Sequence, residues 1–298
     1  MPNKLLCLDV SYVLFYRFNA LRRWYQHRHQ TELPDSFVQS EEFRLMFTKR
    51  LRETIRDLIK VHRPTHLLFA YDGQENWRKT VSSSYKGTRT CTNAARHAFA
   101  LGLQWTFDTS EIHDILKMLN HKRRGKQTTP LYTLPVIEHI LNNKLEADDV
   151  IHTAVHIQMS KDPSSHCIII ANDHDYLPLF QYPHVQLINL QNKELELPSG
   201  VDASQMLTYK ALLGDKSDNI PSAFKRCGKK TALKYIQQPE LLNTQFQQDP
   251  SALERFEANL NLMDNTRIPS ALRDSLYTTL TPFIQIQPLL APKATDKN

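Results

Sequence analysis

Hydrophobic and polar positions follow two different periods along the chain. Short unbroken apolar runs, rich in β-branched residues, predict strands that are buried on both faces of a sheet. The predicted strands are residues 5–10, 65–73, 135–140, 167–173 and 185–190. Apolar residues that recur every three or four positions predict amphipathic helices. The predicted helices are residues 41–61, 145–159, 203–213, 251–263 and 269–280.

The order of these elements predicts an α/β fold with a mostly parallel central sheet flanked by helices. Strands and helices alternate over residues 1–200, and the chain from 201 to 285 reads as helices alone. Residues 286–298 form a polar tail that we expect to be loose. Between 90 and 130 the apolar pattern weakens, and a dense basic run occupies 121–126. This pattern predicts a mobile, cationic insertion between two strands.

Acidic residues follow three of the predicted strands. Asp9 ends the first strand, Asp72 follows the second, and Asp173 and Asp175 follow the fourth. Each has an ordinary explanation when taken alone, such as a helix N-cap for Asp9 or a turn for Asp72. The carboxyl ends of parallel strands, however, meet at one edge of the sheet, which brings these acids together. At an effective dielectric of about 20, two charges about 4 Å apart repel by about 4 kcal/mol, so the cluster predicts a bound cation.

Two further groups of acids belong to the same pattern. Glu146, Asp148 and Asp149 stand at the start of a predicted helix, where capping accounts for one or two of them. Asp215 and Asp218 lie in a later loop. Carboxylate oxygens are hard ligands that suit Mg²⁺ or Mn²⁺. Because two such ions about 4 Å apart can activate a water and stabilise a phosphoryl displacement, the acids predict metal-dependent phosphodiester hydrolysis.

Basic residues outnumber acidic ones, and some of them cluster with aromatic residues. The chain has 37 Lys and Arg against 31 Asp and Glu, a net charge of +6, which suits a polyanionic partner such as nucleic acid. Residues 77–89 mix tryptophan and tyrosine, which can stack on bases, with cations that can bind phosphate. Residues 227–232 form a glycine turn that opens a helix with two lysines, a suitable phosphate site. An exposed helix face and a plain helix–turn–helix linker are the alternatives for these two segments.

The composition also excludes several classes of site. The four cysteines are far apart and have neither zinc-ligand nor disulfide spacing, which predicts a reducing compartment. The first apolar run is interrupted by Asp9 and is no signal peptide, and no apolar stretch reaches the 18 residues of a membrane span. Neither a Walker motif nor a Gly-x-Gly-x-x-Gly motif occurs.

The order and spacing of the acidic and basic segments described above resemble those of the 5′-nuclease family. This family includes flap endonucleases, the 5′-nuclease domain of bacterial DNA polymerase I and phage 5′ nucleases. The resemblance runs from about Lys4 to Leu280. The segments that carry it, besides Asp9, are residues 71–73, 85–89, 146–149, 172–175 and 214–221. Residues 77–79 and 259–269 are similar to the phage ribonuclease H branch.

The resemblance implies a PIN-like nuclease core over residues 1–200, a helical arch at about 77–130, and a helix–turn–helix at 219–236 that holds duplex by its backbone. It also implies a site for two Mg²⁺ or Mn²⁺ ions. The residues implied for the first ion, directly or through water, are Asp9, Asp72, Glu146, Asp148 and Asp149. Those implied to serve the second ion, or to lie between the two ions, are Asp173, Asp175, Asp215 and Asp218. Lys86 and Arg89 would contact the scissile phosphate. The candidate catalytic residues are therefore Lys86, Arg89 and Asp173.

The implied substrates are DNA with 5′ flaps, nicks or gaps and RNA–DNA hybrids, cut during primer removal in replication. Tyr85 would stack on the unpaired terminal base. The candidate nucleic-acid-binding residues are Arg78, Lys79, Tyr85, Lys86, Arg89, Lys122, Arg123, Arg124, Arg226, Lys229 and Lys230. The implied protein partners are replisome components such as a single-strand-binding protein and a sliding clamp. The implied setting is a monomer in the cytoplasm of a bacterial or phage-infected cell.

Other readings of the same residues remain open. At residues 224–228 the family's Gly-x-Gly turn keeps only its second glycine, Gly228, which removes the basis for predicting a monovalent ion there. A PIN-like ribonuclease would share the fold, but that group usually lacks the segment that holds Asp215 and Asp218. A catalytically inactive DNA-binding protein is the other alternative, although such a protein would gain nothing from the mutual repulsion of nine acids.

Overall fold

Five parallel strands form the central sheet of the protein. They are β1 (Lys4–Asp9), β2 (His66–Ala70), β3 (Val136–Ile137), β4 (His166–Ile170) and β5 (Val185–Ile188), in the spatial order β3-β2-β1-β4-β5. The computed structural model describes residues 3–108, 110–115, 136–137 and 144–285. Because β1 lies between β2 and β4, the strands that precede Asp9, Asp72 and Asp173 are neighbours in the sheet.

Helices cover both faces of this sheet. Those of the first half are α1 (Val10–His29), α2 (Asp35–Val38), α3 (Glu41–His62), α4 (Arg78–Val81), α5 (Asn93–Thr106), the helical residues 110–115 (α6) and α7 (Ala147–Lys161). Alternate residues of a strand point to opposite faces. In β1, Leu6 and Leu8 pack with residues of α1, α3 and α5. Leu5 and Cys7 pack on the other face with residues of α7.

Five more helices follow β5. They are α8 (Met206–Leu213), α9 (Lys229–Gln237), α10 (Pro239–Gln248), α11 (Pro250–Met263) and α12 (Ser270–Gln285). Helix α11 packs on α8, and α12 packs on α7. Leu276 and Leu280 of α12 are fully buried in the same hydrophobic cluster as Ile151 and Val155 of α7. The C-terminal helices therefore share a core with the sheet.

The predicted fold class is confirmed, and the predicted elements within the described residues are present with their ends shifted by a few residues. Helices α1, α2 and α5 were not predicted, and α10 lies in a region predicted to be helical without bounds of its own. Helix α5 falls where a mobile insertion was expected, yet Ala95, Ala98 and Trp105 are buried against α1 and α3. A Cβ atom on Gly102 would lie 2.5 Å from the Leu14 side chain. Small residues thus let α5 approach its neighbours closely, and this part of the segment belongs to the core.

Several predictions fall partly or wholly outside the described residues. The basic run at 121–126 and the tail at 286–298 lie outside them, and of the predicted strand 135–140 only Val136 and Ile137 are described, where they pair with β2. Among the described helices, none combines the length and apolar character that crossing a membrane requires. The four cysteines, all of which are described, are free thiols.

Candidate active site

A cavity of about 230 Å³ opens at the carboxyl edge of the sheet. Six of the nine acids named from the sequence line it, and they are Asp9, Asp72, Glu146, Asp148, Asp173 and Asp175. Lys86 and Arg89 also line the cavity, together with the rings of Tyr12, Phe15 and Tyr176. The structure thus brings three strand ends, one helix start and two cations to a single place.

Asp9 and Asp72 hold helix starts as well as lining the cavity. Asp9 is the N-cap of α1, where its Oδ1 accepts a hydrogen bond from the Tyr12 amide at 2.9 Å. Its other oxygen accepts from the Tyr176 hydroxyl at 3.1 Å. Asp72 accepts from the amide of Ala147, the first residue of α7, at 3.0 Å. Hydrogen bonds to the amides at the starts of α1 and α7 therefore fix the positions of the two carboxylates.

Burial and mutual repulsion raise the pKa of two cavity carboxylates. The pKa of Asp9 rises to about 7, first because of desolvation and then because of the nearby charge of Asp72. The pKa of Asp173 rises to about 8, through desolvation of its carboxylate and repulsion from Asp175, although the residue as a whole is exposed. The protein therefore does not fully compensate the negative charge of the cavity.

Lys210 is a cation near the cavity that the sequence analysis missed. It lies in α8 next to the buried Tyr209 and Ala211, and its ammonium group forms an ion pair with Asp175. Burial acts to raise the pKa of Asp175, but the charge and hydrogen bond of Lys210, together with the charges of Lys86 and Arg78, lower that pKa to about 2. The one sequence signal was a single lysine in an otherwise apolar helix, which equally fits an exposed position.

Lys86 and Arg89 approach the cavity from the segment that follows α4. The Lys86 ammonium group pairs with Glu146 and lies 3.9 Å from Oδ2 of Asp218. The Lys86 backbone has a φ of 53°, a left-handed conformation that costs a residue with a Cβ roughly 1–2 kcal/mol. Its amide donates to the Asp218 carbonyl at 3.0 Å, which supports that conformation. Arg89 pairs with Asp218, while 53% of its side chain remains exposed.

Arg78 is buried, so its predicted contact with nucleic acid is wrong for this structure. Its side chain is 1% exposed and forms ion pairs with Glu146, Asp148 and Asp149. Asp149 is fully buried, and it also accepts a hydrogen bond from the Trp77 indole at 3.0 Å. Asp149 therefore lies behind the cavity and not in its wall. The physical reason is that buried carboxylates require an internal counter-ion, and Arg78 supplies it.

Tyr85 is also buried, so its predicted stacking on a base does not fit this structure. Its ring is 3% exposed, and its hydroxyl lies 2.9 Å from a Glu146 oxygen and 3.0 Å from an Asp218 oxygen. Asp218 is 4% exposed, and Asp215 accepts a hydrogen bond from the Ser217 amide at 2.7 Å. Asp215 and Asp218 are not among the residues that line the cavity, and their predicted role in serving the second ion or lying between the two ions stays a prediction.

The other candidate nucleic-acid contacts are spread over the surface. Lys79 is exposed on α4, and Arg226, Lys229 and Lys230 are exposed around the start of α9. Gly228 is the N-cap of α9 and offers no side chain to the free amides there. An exposed helix N-terminus flanked by lysines is a suitable place for a phosphate. The basic candidates at 122–124 lie outside the described residues.

The cavity carboxylates fit a divalent cation. Their oxygens are hard ligands of the kind that Mg²⁺ and Mn²⁺ prefer, and their raised pKa values indicate uncompensated negative charge. Within the described residues, no three acidic, histidine or cysteine side chains already stand as a complete ligand set. Glu146 and Asp175 are instead engaged by Lys86 and Lys210. A bound cation would compete with these two ion pairs.

Comparison with known proteins identifies relatives that are named as exonucleases and flap endonucleases. Residues 4–208 match the family described as "5′-3′ exonuclease, N-terminal resolvase-like domain". A 5′-3′ exonuclease of Halalkalibacterium halodurans is 29% identical over 246 residues, which cover 78% of this chain and 71% of the relative. The flap endonuclease Xni of Shewanella oneidensis is 26% identical over 255 residues, which cover 84% of this chain and 80% of the relative.

A solved structure resembles nearly the whole chain. It is the crystal structure of a bacteriophage T5 flap endonuclease in a pseudo-enzyme-product complex with DNA and metal ions. The similarity covers 95% of this chain and 100% of the T5 chain, with a TM-score of 0.62 and 16% sequence identity. At this identity the likeness establishes the fold alone, and that fold extends beyond the residues that the family match covers.

Proposed function

This chain belongs to the family of 5′-3′ exonucleases with an N-terminal resolvase-like domain and is a nuclease, and we propose that it is a metal-dependent 5′-to-3′ exonuclease and structure-specific 5′ flap endonuclease. The observation that carries the proposal is the meeting of six carboxylates with Lys86 and Arg89 around one cavity. Acids alone would bind a cation, and cations alone would bind a phosphate. Their combination suits hydrolysis of a phosphodiester bond.

The cavity acids would hold two Mg²⁺ or Mn²⁺ ions. We assign one ion to the side of Asp9 and Asp72 and the other to the side of Asp173 and Asp175. Asp148 lines the same cavity as both pairs of acids, so we propose that its carboxylate serves both ions. When bound, such ions supply an activated water and stabilise the charge that builds up on the phosphate.

Lys86 and Arg89 would act on the phosphate itself. Each is held by a carboxylate in the absence of substrate, Lys86 by Glu146 and Arg89 by Asp218. A phosphodiester that enters the cavity offers both cations an alternative charged acceptor. As water adds to the phosphorus and one P–O ester bond breaks, negative charge accumulates on the phosphate oxygens. Cations aimed at that charge lower the barrier more than they tighten substrate binding.

The proposed substrates are DNA with 5′ flaps, nicks or gaps and RNA–DNA hybrids, with primer removal as the setting. A relative is named a flap endonuclease, and the T5 flap endonuclease was crystallised with DNA, which supports a DNA substrate. Exposed Arg226, Lys229 and Lys230 would hold duplex by its phosphates. On the resemblance alone, we propose a cytoplasmic monomer that works beside a single-strand-binding protein and a sliding clamp.

Digestion of three 5′-labelled substrates tests the proposal. A 5′ flap, a nicked duplex and an RNA–DNA hybrid are each incubated with Mg²⁺ or with EDTA, using the parent protein and Asp173→Asn. We expect cleavage of the flap and the nicked duplex only with Mg²⁺, and strongly reduced cleavage by Asp173→Asn. Asp274→Asn, at an exposed position on α12, is the matched control and keeps full activity. Binding without cleavage in Mg²⁺ would favour an inactive DNA-binding protein, and cleavage confined to the RNA strand of the hybrid would favour a PIN-like ribonuclease.

A further inference from the structure

Arg78 lies behind the acidic cavity with every guanidinium nitrogen engaged. Its Nε donates to the Leu262 carbonyl at 2.7 Å. Nη1 donates to Oε2 of Glu146 at 3.0 Å and to Oδ2 of Asp149 at 3.1 Å. Nη2 donates to Oδ1 of Asp149 at 2.9 Å and to Oδ2 of Asp148 at 3.3 Å. The two parallel bonds to Asp149 fix the plane of the guanidinium, and the other bonds tie that plane to Glu146 and Asp148.

Asp149, the central partner of Arg78, is itself held on several sides. Its Oδ2 accepts from the Trp77 indole at 3.0 Å and from the Glu146 amide at 2.9 Å, and its Oδ1 accepts from the Asn265 amide group at 3.3 Å. The Arg78 guanidinium also lies 4.7 Å from the centre of the Trp77 ring. Asp149 is fully buried and does not reach the cavity. Its role is therefore to anchor Arg78 and the start of α7.

The bond to Leu262 connects this buried network to α11. Leu262 lies in the last turn of the helix, where carbonyls lack helical partners and a cation is favoured. One turn earlier, the buried Asn259 donates to the carbonyls of Ala211 and Pro221, both at 2.8 Å. Those carbonyls flank the loop that contains Asp215 and Asp218. Helix α11 is thus connected to the cavity acids through the contact of Leu262 with Arg78, and to this loop through the contacts of Asn259.

We propose that Arg78 is a positioning residue of the nuclease site, which fixes Glu146 and Asp148 in the cavity wall and makes their geometry depend on α11. This inference rests on the proposed function, because it assumes that these two acids take part in binding cations. Side chains behind a metal site that orient its ligands typically change metal affinity by about 10–100-fold when they are altered. An effect of that size is expected here even though Arg78 touches neither cation nor substrate.

Two variants separate the geometry of Arg78 from its charge. Arg78→Lys keeps the positive charge but loses the planar fork that engages three carboxylates. The double variant Arg78→Met with Asp149→Asn removes one positive and one negative charge, so that no unpaired charge is left buried and folding is protected. Both leave the net charge unchanged. Lys49→Met, at an exposed position on α3 away from the cavity, is the control for loss of a surface lysine.

Calorimetric titration of each protein with Mn²⁺ measures the affinity directly, and nuclease assays over a range of Mn²⁺ concentrations provide a second reading. We expect both variants to bind Mn²⁺ at least about tenfold more weakly than the parent and Lys49→Met. Their cleavage rates should recover to within a few fold at saturating Mn²⁺. Variants that lose thermal stability but bind Mn²⁺ with the parental affinity would overturn the positioning role while leaving the proposed function intact. A parent protein that binds no Mn²⁺ would instead overturn the proposed function itself.

Discussion

Lys86 forms an ion pair with Glu146 beside the acidic cavity, at a position where its backbone adopts a left-handed conformation. Such a conformation persists in a residue with a Cβ only where the surroundings enforce it, and here the Asp218 carbonyl accepts the Lys86 amide. The ammonium group is thereby held next to the acids. In the proposed mechanism, Glu146 would hold this cation until a phosphate replaces it as the partner of Lys86.

Lys86→Met should reduce turnover much more than affinity for duplex DNA. The substitution keeps the length of the side chain and removes the charge that would face the reacting phosphate. Loss of one group aimed at transition-state charge costs roughly 10²–10³-fold in rate, whereas one phosphate contact contributes little to the affinity of a whole duplex. Single-turnover cleavage and fluorescence anisotropy in EDTA measure the two quantities. Equal losses in both, or an equal effect of Lys49→Met at an exposed position on α3, would contradict this role.

Mg²⁺ or Mn²⁺ should raise the melting temperature of the protein. A ligand that binds only the folded state stabilises it by about 2.7 kcal/mol at 100 times its dissociation constant, which corresponds to several degrees for a chain of this size. Thermal unfolding across millimolar metal concentrations measures the shift. Asp173→Asn should shrink the shift, and the exposed Asp274→Asn should not. A melting curve that is unchanged by metal would mean that the cavity acids do not form a cation site.

The clustering of the acids at the strand ends could be predicted from the sequence, because it follows from two simple rules. An apolar run that ends in Asp marks the end of a strand, and parallel strands place their ends at one edge. The rules apply to Asp9, Asp72 and Asp173 because β1, β2 and β4 are neighbours in the sheet. Apart from the pairing of strands in the sheet, these rules depend on no contact between residues that are distant in sequence.

These rules could not predict the burial of Arg78, Tyr85 and Lys210, because partners that are remote in sequence determine it. Arg78 meets Asp149, 71 residues away, and Leu262, 184 residues away. A segment that mixes aromatic residues and cations is typical of a nucleic-acid surface. Only the folded chain reveals that Arg78 neutralises buried carboxylates and that Tyr85 donates a hydrogen bond to one of them. Lys210 stands in an apolar helix, and its pairing with Asp175 follows from how α8 packs at the sheet edge.

Metal binding should strengthen as the pH rises from about 6 to about 8. In the folded protein the pKa values of Asp9 and Asp173 are about 7 and about 8, so below these values a cation must displace protons from the carboxyl groups. Calorimetric titration with Mn²⁺ at several pH values, in buffers of different ionisation enthalpy, measures both the affinity and the released protons. An affinity that is independent of pH over this range would contradict the raised pKa values.

The same shifts predict that the metal-free protein loses stability as the pH rises. In the unfolded chain both pKa values return towards 3.8, so between about pH 4 and pH 8 the folded state binds more protons than the unfolded state. The free energy of unfolding must then fall with rising pH in this window. Urea unfolding in EDTA at about pH 5.5 and about pH 8.5 measures the difference. Asp173→Asn cannot change its charge and should reduce that difference, and a parent midpoint that rises with pH would show that other groups dominate.

Tyr85→Phe should destabilise the protein without lowering its affinity for DNA with a 5′ flap. The hydroxyl of Tyr85 lies between the carboxylates of Glu146 and Asp218, and loss of a buried hydrogen bond to a charged group costs about 2 kcal/mol. Thermal unfolding should therefore show a melting temperature lower by several degrees. Tyr277→Phe, at an exposed position on α12, is the matched control. Two results together would contradict this prediction: an unchanged stability of Tyr85→Phe, and a folded Tyr85→Ala variant with lower affinity for a flap. They would mean that the ring leaves its buried site to stack on a base.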